Sequence, residues 1–251
     1  MEKIIDYRDY RLNKKEMLRF ALVGYTAFAI LAYLFYKSII VSLILGFAFV
    51  FLERYYREYK GSKLREKLIV QFKDLLYCIS GSVAAGRYMN EALLEGEDVL
   101  KSIYGEKSLL AVELGNINKS IVKNRADAEE ALSDLAKRSG LDDIRNFVEV
   151  YSICKETGGD MQKVVTDTAG MIAEKMQMKK EIKTLMAQKQ FEARIVSVMP
   201  VAIILFLNLI SPDYLQPLYE SIQGRLIMSI ALLGFLLSGI WMFKLTEVEV
   251  K

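Results

Sequence analysis

The sequence predicts an all-α membrane protein with four transmembrane helices and a cytoplasmic helical bundle between the second and the third. Of its 251 residues, 53% are hydrophobic and 26% are charged, and the apolar residues are concentrated in a few long runs. Such segregation is typical of a membrane protein that carries a polar domain. The polar middle of the chain contains no proline and has apolar residues at helical spacing, which favours helices throughout.

The first two transmembrane helices are predicted within one apolar run, Phe20–Leu52. The run is 33 residues long and is interrupted only by Lys37. One helix needs about 20 residues to cross a bilayer. The run therefore fits two short spans, roughly Phe20–Tyr36 and Ile39–Leu52, that form a transmembrane hairpin within residues 20–52. The first apolar run is long and has no early small-residue cleavage site, so a cleaved signal peptide is not expected.

Residues 53–194 are predicted to form the cytoplasmic helical domain. Its charges nearly cancel, with 24 basic and 23 acidic side chains. Signals for helix starts and ends divide it into six predicted helices. They lie at Leu64–Ala85, Glu91–Ile103, Lys107–Val122, from Asp127 to Gly140, from Asp142 or Asp143 to about residue 157, and at Met161–Arg194. We expect Asn90 and Asp127 to cap two of these helices and a break near Gly115 in the third.

The stretch Lys155–Asp160, with the sequence KETGGD, is predicted to be a helix–turn–helix joint. Gly158 and Gly159 can supply the positive φ that a helix C-terminus favours, and Asp160 can cap the next helix. Glu156 stands at a helix C-terminus, where a negative charge is mildly unfavourable. It is expected to pair either with a nearby lysine or with another protein.

The third and fourth transmembrane helices are predicted within residues 195–243, at Ile195–Ile210 and Leu226–Phe243. Pro200 is expected to kink the third helix. Residues 211–225 are predicted to be the external loop between the two helices.

The distribution of basic residues predicts the orientation in the membrane. Six basic residues lie in the N-terminal segment 1–19 and six more in residues 53–67, whereas the external loop has one, at its end. The positive-inside rule therefore predicts that both termini, including the tail 244–251, and residues 53–194 are cytoplasmic. The chain is predicted to be a multi-pass protein of the cell (inner) membrane.

Small and polar residues in the spans suggest helix packing. Ser42/Gly46 and Gly234/Ser238 have the four-residue spacing that permits close approach of membrane helices, although such residues also occur there without that role. Asn208 is expected to link helices by hydrogen bonding rather than to serve transport.

Several kinds of chemistry are not expected. Histidine is absent, which removes Ser-His-Asp and Cys-His catalysis and the usual zinc sites. No constellation predicts a catalytic, cofactor or metal site, so we expect the protein not to be an enzyme. Cys78 and Cys154 are expected to be reduced core thiols. The formal net charge of +3 is too small to indicate nucleic-acid binding.

Motifs in a fixed order carry a family resemblance. They are Phe72–Leu93 (FKDLLYCISGSVAAGRYMNEAL), Arg125–Gly140, the Glu156–Gly159 turn, Pro200, Ser211–Tyr214 and Gly224–Arg225. In this order, across roughly residues 64–243, the chain resembles the type II secretion system F domain family, most closely the shorter platform proteins of tight-adherence (Tad-type) pili. Many relatives carry two copies of the helical domain, whereas this chain has one, which favours the Tad-like branch.

The resemblance implies a platform protein of a type IV-like (Tad) pilus or type II secretion machine, which couples a cytoplasmic assembly ATPase to pilin assembly without hydrolysing ATP itself. Implied partners are the secretion or pilus assembly ATPase, pilin subunits, membrane lipid, and a paralogous platform protein or a second copy of the chain. The residues that the resemblance marks as partner contacts or hinges are Gly86, Arg87, Glu91, Glu156, Gly158, Gly159 and Pro200.

A stator-like subunit of a proton- or sodium-driven motor complex is the alternative. That family also has four spans, a cytoplasmic domain between the second and the third, and a proline in the third, so it accounts for the topology equally well. It does not account for the Ala85-Gly86 turn that is followed by Glu91-Ala92-Leu93, or for the turn Glu156-Thr157-Gly158-Gly159. The predicted spans also contain no ionisable residue apart from Lys37 at the hairpin turn.

Overall fold

The computed structural model describes residue 7 and residues 14–47, 50, 53–124 and 127–246. These residues form ten α-helices and no strand, which confirms the all-α prediction. The predicted end of the second span, most of the N-terminal segment and the tail from residue 247 lie outside the described residues.

The helices are numbered in chain order. They are α1 Lys14–Tyr36, α2 Ile39–Gly46, α3 Glu53–Ala84, α4 Met89–Tyr104, α5 Leu109–Asn124, α6 Ala128–Ser139, α7 Asp142–Thr157, α8 Met161–Ile210, α9 Pro212–Glu220 and α10 Ile222–Thr246.

The chain folds as two compact units. The helical unit contains residues 1–11 and 55–177, and the apolar unit contains residues 12–54 and 178–251. In the helical unit, α4 packs on α5, α5 on α6, and α6 on α7. Its core is built from fully buried apolar side chains of every helix from α3 to α8, among them Leu68, Phe72, Leu93, Leu114, Leu132, Phe147 and Val165. Burial of these side chains is the main force that holds the helices together.

Helices α7 and α8 run antiparallel in the helical unit. Asp143 lies 14 residues before the end of α7, and Lys175 lies 14 residues after the start of α8. The Lys175 ammonium donates to Asp143 Oδ1 at 3.1 Å. Because the two partners are equally far from the turn between the helices, the helices must lie side by side in opposite directions.

Helix α3 runs parallel to α7, which two contacts establish together. The rings of Phe72 and Phe147 meet edge to face with centroids 5.6 Å apart. The Ser80 and Thr166 hydroxyls are 2.6 Å apart. If α3 were antiparallel to α7, the ring contact would place Ser80 roughly 20 Å along the axis from Thr166. The C-terminal end of α3 therefore lies at the same end of the unit as the C-terminal end of α7.

The start of α6 lies at this end too. Ser152, near the end of α7, donates to Glu129 Oε1 at 2.6 Å, and Lys155 is paired with the Asp127 carboxylate. We call this the glycine-turn end; it comprises the α3–α4 turn at 85–88, the Asp127 cap and the α7–α8 turn at 158–160.

Most predicted helix ends in this unit are confirmed. Gly105 and Gly140 follow α4 and α6 with φ values of 86° and 64°, in the region that glycine alone enters without strain. Asp127 caps α6, accepting a hydrogen bond from the Glu129 N–H at 3.3 Å. The helix predicted from Leu64 begins earlier, at Glu53, because α3 continues through Gly61, which is buried.

Two helix predictions are wrong. Tyr88, not Asn90, is the cap residue of α4, so Asn90 lies within the first turn. Helix α5 is continuous through Gly115, where a break was expected. A side chain at Gly115 would place its Cβ 3.2 Å from Glu97 Oε1 of α4. The glycine therefore serves the close approach of two helices rather than a break.

The apolar unit contains helices long and apolar enough to cross a membrane. Three helices of the described residues meet this criterion, namely α1, α8 and α10. The predicted second span is represented by the eight residues of α2, so a total of four spans is not shown. Helix α8 continues without interruption from Met161 through Pro200 to Ile210 and thus includes the predicted third span.

The small residues of α2 pack closely on α1. Ser42 and Gly46 are buried, and a Cβ at Gly46 would lie 2.7 Å from the Tyr25 ring. Gly234 of α10 has no atom within 4 Å of its Cβ position. Close packing is therefore confirmed for Ser42/Gly46, whereas Gly234 has no such role among the described residues.

Residues 211–225, predicted as the external loop between the third and fourth spans, contain the helix α9 at residues 212–220. Pro212 starts the helix, where its missing N–H removes no hydrogen bond. Tyr219 is buried, and its hydroxyl donates to Leu34 O at 3.0 Å. The Asn208 amide donates to the Tyr219 oxygen at 2.9 Å. This network joins α1, α8 and α9, which confirms the helix-linking role expected of Asn208.

Candidate functional site

The α3–α4 turn is formed around Gly86. Its φ of 81° lies in the left-handed region. The Arg87 N–H donates to Ser82 O at 3.1 Å, and the Gly86 N–H donates to Val83 O at 2.9 Å. The bond from Arg87 to Ser82 spans six residues, which is the long hydrogen bond of a Schellman helix end. Gly86 therefore closes α3 by its backbone conformation, as the sequence motif predicts.

The α7–α8 turn has the same construction. Gly158 has a φ of 68°, and the Gly159 N–H donates to Cys154 O at 3.0 Å, again across six residues. Asp160 then caps α8 by accepting a hydrogen bond from the Lys163 N–H at 3.0 Å. The predicted joint is confirmed, and the two glycine turns that lie far apart in sequence share one motif and one end of the unit.

Gly159 does not have the positive φ predicted for it. Of the pair, Gly158 alone does. A Cβ at Gly159 would stand 3.1 Å from Cys154 Sγ. The second glycine is thus suited to the close approach of the chain to the buried end of α7, rather than to a left-handed backbone.

Arg87 holds the first turn against α4. Its guanidinium lies 2.8 Å from Glu95 Oε2, which also accepts the Ser82 hydroxyl at 2.6 Å. Glu91 is exposed in the first turn of α4, where a carboxylate is favoured by the helix dipole. Arg87 therefore has a structural partner, whereas Glu91 stands on the surface of this end.

Glu156 is exposed beside a lysine that is already paired. Lys155 contacts both Asp127 and Glu129, the latter at 3.4 Å. The hydrogen bond from Lys155 holds the pKa of the Asp127 carboxyl below its usual value, and the same contact raises the pKa of Lys155. Among the described residues no basic side chain forms an ion pair with Glu156. Its carboxylate is exposed at the end of α7.

The surface around the α7–α8 turn is acidic and carries exposed apolar side chains. The acidic side chains at the start of α6 and the end of α7 are Asp127, Glu129, Glu130, Glu156 and Asp160, with Lys155 among them. Ile153 and Val150 of α7 are 60% and 45% exposed. An apolar patch bordered by carboxylates is suited to binding a protein surface that is basic and partly apolar.

Sequence reasoning missed two exposed apolar residues at this end. Tyr88, the cap residue of α4, is 80% exposed, and Ile153 projects from the last turns of α7. The exposure of Tyr88 could have been predicted from its position just after the Ala85-Gly86 turn. Ile153 could not have been assigned to the surface, because it lies in a helix whose buried and exposed faces both contain apolar side chains.

The remaining predicted site residues lie elsewhere. Pro200 is in the apolar unit, within α8. Cys78 and Cys154 are free cysteines, of which Cys154 is buried. In the described part of the chain, no three acidic, cysteine or histidine side chains are grouped as a metal site would require.

The arrangement at the glycine-turn end therefore supports binding, through exposed carboxylates and apolar side chains held on rigid helix ends. No family model matches this chain, and neither a curated protein nor a solved structure shows significant similarity to it.

Proposed function

We propose that this chain is a membrane platform protein of a type IV-like (Tad) pilus or a type II secretion machine. In this role it couples a cytoplasmic assembly ATPase to the assembly of pilin subunits in the inner membrane. One observation carries the proposal: the helix that begins at the Gly158 turn contains, in the same unbroken 50 residues, an apolar stretch long enough to cross the membrane.

The glycine-turn end is the proposed contact with the ATPase. Both family-type turns lie there, and Glu156 is exposed without a lysine partner in the described chain. The ATPase would present a basic and partly apolar surface to Glu156 and Ile153. The basic residues at 53–67 support an orientation with this unit in the cytoplasm.

The first test concerns Glu156. We expect Glu156→Ala to weaken retention of the assembly ATPase by the purified chain about tenfold, because an exposed carboxylate of the contact is removed while the helix end is kept. The control is Glu106→Ala, an equally exposed glutamate in the α4–α5 turn at the opposite end of the helical unit. Equal retention by both variants and by the unchanged chain would exclude Glu156 from the contact.

The second test concerns α8 as a rigid lever. We expect a flexible Gly-Ser insertion next to Lys180 to abolish pilus assembly, because it interrupts the helix between the Gly158 turn and the apolar stretch. The control is an alanine-rich insertion of about seven residues, two helical turns, at the same place, which keeps the helix and its faces aligned. Normal assembly with the Gly-Ser insertion would refute the lever, although not the ATPase contact.

A further inference from the structure

Tyr219 of α9 has a fixed position inside the apolar unit. Its side chain is buried in a core cluster that also contains Phe35 of α1 and Met228 of α10. Its hydroxyl donates to Leu34 O at 3.0 Å and accepts from the Asn208 amide at 2.9 Å. A buried tyrosine whose hydroxyl is bonded on both sides has little freedom to move. Tyr219 is therefore a fixed point at which side chains of other elements can meet.

Two cationic side chains from separate parts of the apolar unit contact Tyr219. The Lys37 ammonium, in the α1–α2 turn, lies over its ring with Nζ 5.1 Å from the ring centroid. Arg225 Nε, near the start of α10, donates to its carbonyl at 2.9 Å. Both residues are exposed. The bond to Tyr219 occupies only one of the five N–H donors of the Arg225 guanidinium.

No carboxylate balances these two cations in the described part of the chain. Neither Lys37 nor Arg225 forms an ion pair there. Glu220 is the acidic residue next to Tyr219 in sequence, but its Oε1 accepts from the Gln216 amide at 2.8 Å. Two uncompensated positive charges that contact one fixed residue are suited to binding an anion.

Lys37 has a backbone conformation that lysine does not favour. Its φ is 45°, and among the described residues no other residue apart from glycines has a positive φ. Its N–H donates to Tyr33 O at 2.8 Å, which closes the end of α1. Glycine, which enters this region without strain, is the usual residue at such a helix end. Because glycine would form the same turn at lower cost, the strained lysine indicates a role for its side chain.

The two cations lie at the level where membrane-crossing helices end. Lys37 directly follows the candidate span Met17–Tyr36, and Arg225 is the fourth residue of the candidate span Ile222–Gly239. Their shared contact with Tyr219 places both at the same end of the apolar unit. The ends of apolar spans lie at the lipid headgroups, where tyrosine is enriched. The anion that is abundant in this layer is the lipid phosphate.

From these contacts we propose that Lys37 and Arg225, held by Tyr219, form a binding site for the phosphate of an anionic phospholipid. The guanidinium and the ammonium bind the phosphate oxygens through charge-assisted hydrogen bonds, and the planar guanidinium matches phosphate geometry. A zwitterionic lipid is disfavoured, because its choline would bring a third cation to the site. The site therefore selects lipids by net charge. This inference goes beyond the proposed function and does not depend on it.

The test is native mass spectrometry of the purified full chain, equilibrated with equal amounts of phosphatidylglycerol and phosphatidylcholine. We expect the unchanged chain to retain phosphatidylglycerol about tenfold in preference, and Lys37→Gln with Arg225→Gln to reduce this preference to about twofold. The matched control is Lys180→Gln with Arg194→Gln, which removes the same two charges from α8 and should keep the preference. Displacement of the lipid by millimolar inorganic phosphate would overturn the assignment to a lipid.

Two further variants separate charge from structure. Lys37→Arg with Arg225→Lys keeps both charges and should keep the preference for phosphatidylglycerol. Lys37→Gly suits the positive φ of the turn, so the fold should persist while the preference falls at least about threefold.

Two results would overturn the proposal. One is equal retention of the two lipids by the unchanged chain, and the other is an equal loss of preference in the α8 control. Because neither an ATPase nor a pilin is present, no outcome of this experiment bears on the proposed function.

Discussion

Replacing Arg138 with methionine is expected to destabilise the helical unit by about 3–5 kcal/mol, the largest effect among our predictions. Both oxygens of Glu113 accept hydrogen bonds from Arg138, and the carboxylate is almost completely buried. Without the guanidinium, Glu113 would keep only the hydroxyl of Tyr7 as a donor among the contacts described here. A buried carboxylate without a counter-charge is far more costly than the loss of the attraction itself.

The comparison is Asp134→Ala, which removes the other carboxylate bonded to Arg138. The Asp134 side chain is 63% exposed, so its contact is screened by water, and we expect a loss below about 1 kcal/mol. The measurement is the free energy of unfolding from chemical denaturation followed by circular dichroism. Adding Glu113→Leu to Arg138→Met should recover part of the loss, because an apolar pair replaces the buried ion pair while the Tyr7 hydroxyl loses its acceptor. Equal effects of Arg138→Met and Asp134→Ala would show that burial of Glu113 is not the cause.

Replacing Gly158 with alanine is expected to destabilise the α7–α8 joint by about 1–2 kcal/mol, and with valine by more. The φ of 68° places the residue in the left-handed region, which a Cβ disfavours and a β-branched side chain disfavours further. No atom lies within 4 Å of the Cβ position, so the backbone and not crowding sets the cost.

The matched control is Gly170→Ala, the same substitution inside α8. The Gly170 Cβ position is also free of neighbours within 4 Å, but the residue has no positive φ. Alanine there should stabilise the helix by up to about 1 kcal/mol, since glycine is a poor helix former. Thermal unfolding in detergent measures whether Gly158→Ala lowers the stability and whether Gly170→Ala raises it. A loss of stability at both positions would contradict the conformational explanation.

The comparison between Gly158 and Glu156 also separates folding from binding. Gly158→Val should lower stability and, through the altered joint, the retention of the ATPase. Glu156→Ala should leave the melting temperature unchanged, because the side chain is exposed and has no ion-pair partner in the described chain. If Glu156→Ala loses retention of the ATPase while its stability is unchanged, Glu156 is a contact residue. If only Gly158→Val loses retention of the ATPase, the turn has a structural role.

The sequence by itself determined several of the helix ends. Gly86, Gly105, Gly140 and Gly158 all end helices at positive φ. Asp127 and Asp160 accept hydrogen bonds from the first turns that follow them. These features were predictable because residue type alone sets the backbone conformation or the local capping bond, within a few residues. The helices that can cross a membrane were also predictable from the apolar runs, since length and hydropathy suffice to identify them.

Features that depend on a distant neighbour were mistaken or missed. Gly115 allows α5 to approach Glu97 of α4, and Gly159 lies against Cys154. Residues 212–220 form a helix whose Tyr219 is buried against α1. In each case the local sequence matched a break, a turn or a loop, and packing against another helix decided otherwise.

Only the tertiary structure decided which helix ends lie close together in space. Nothing in the local sequence indicates that the Gly86 and Gly158 turns lie at one end of the helical unit; the contacts of Phe72 with Phe147 and of Ser80 with Thr166 show it. The burial of Tyr7 against Glu113 belongs to the same class, since 106 residues separate the two. The physical reason is the range of the forces: backbone preference acts over a few residues, whereas burial and ion pairing join whichever side chains the packed helices bring together.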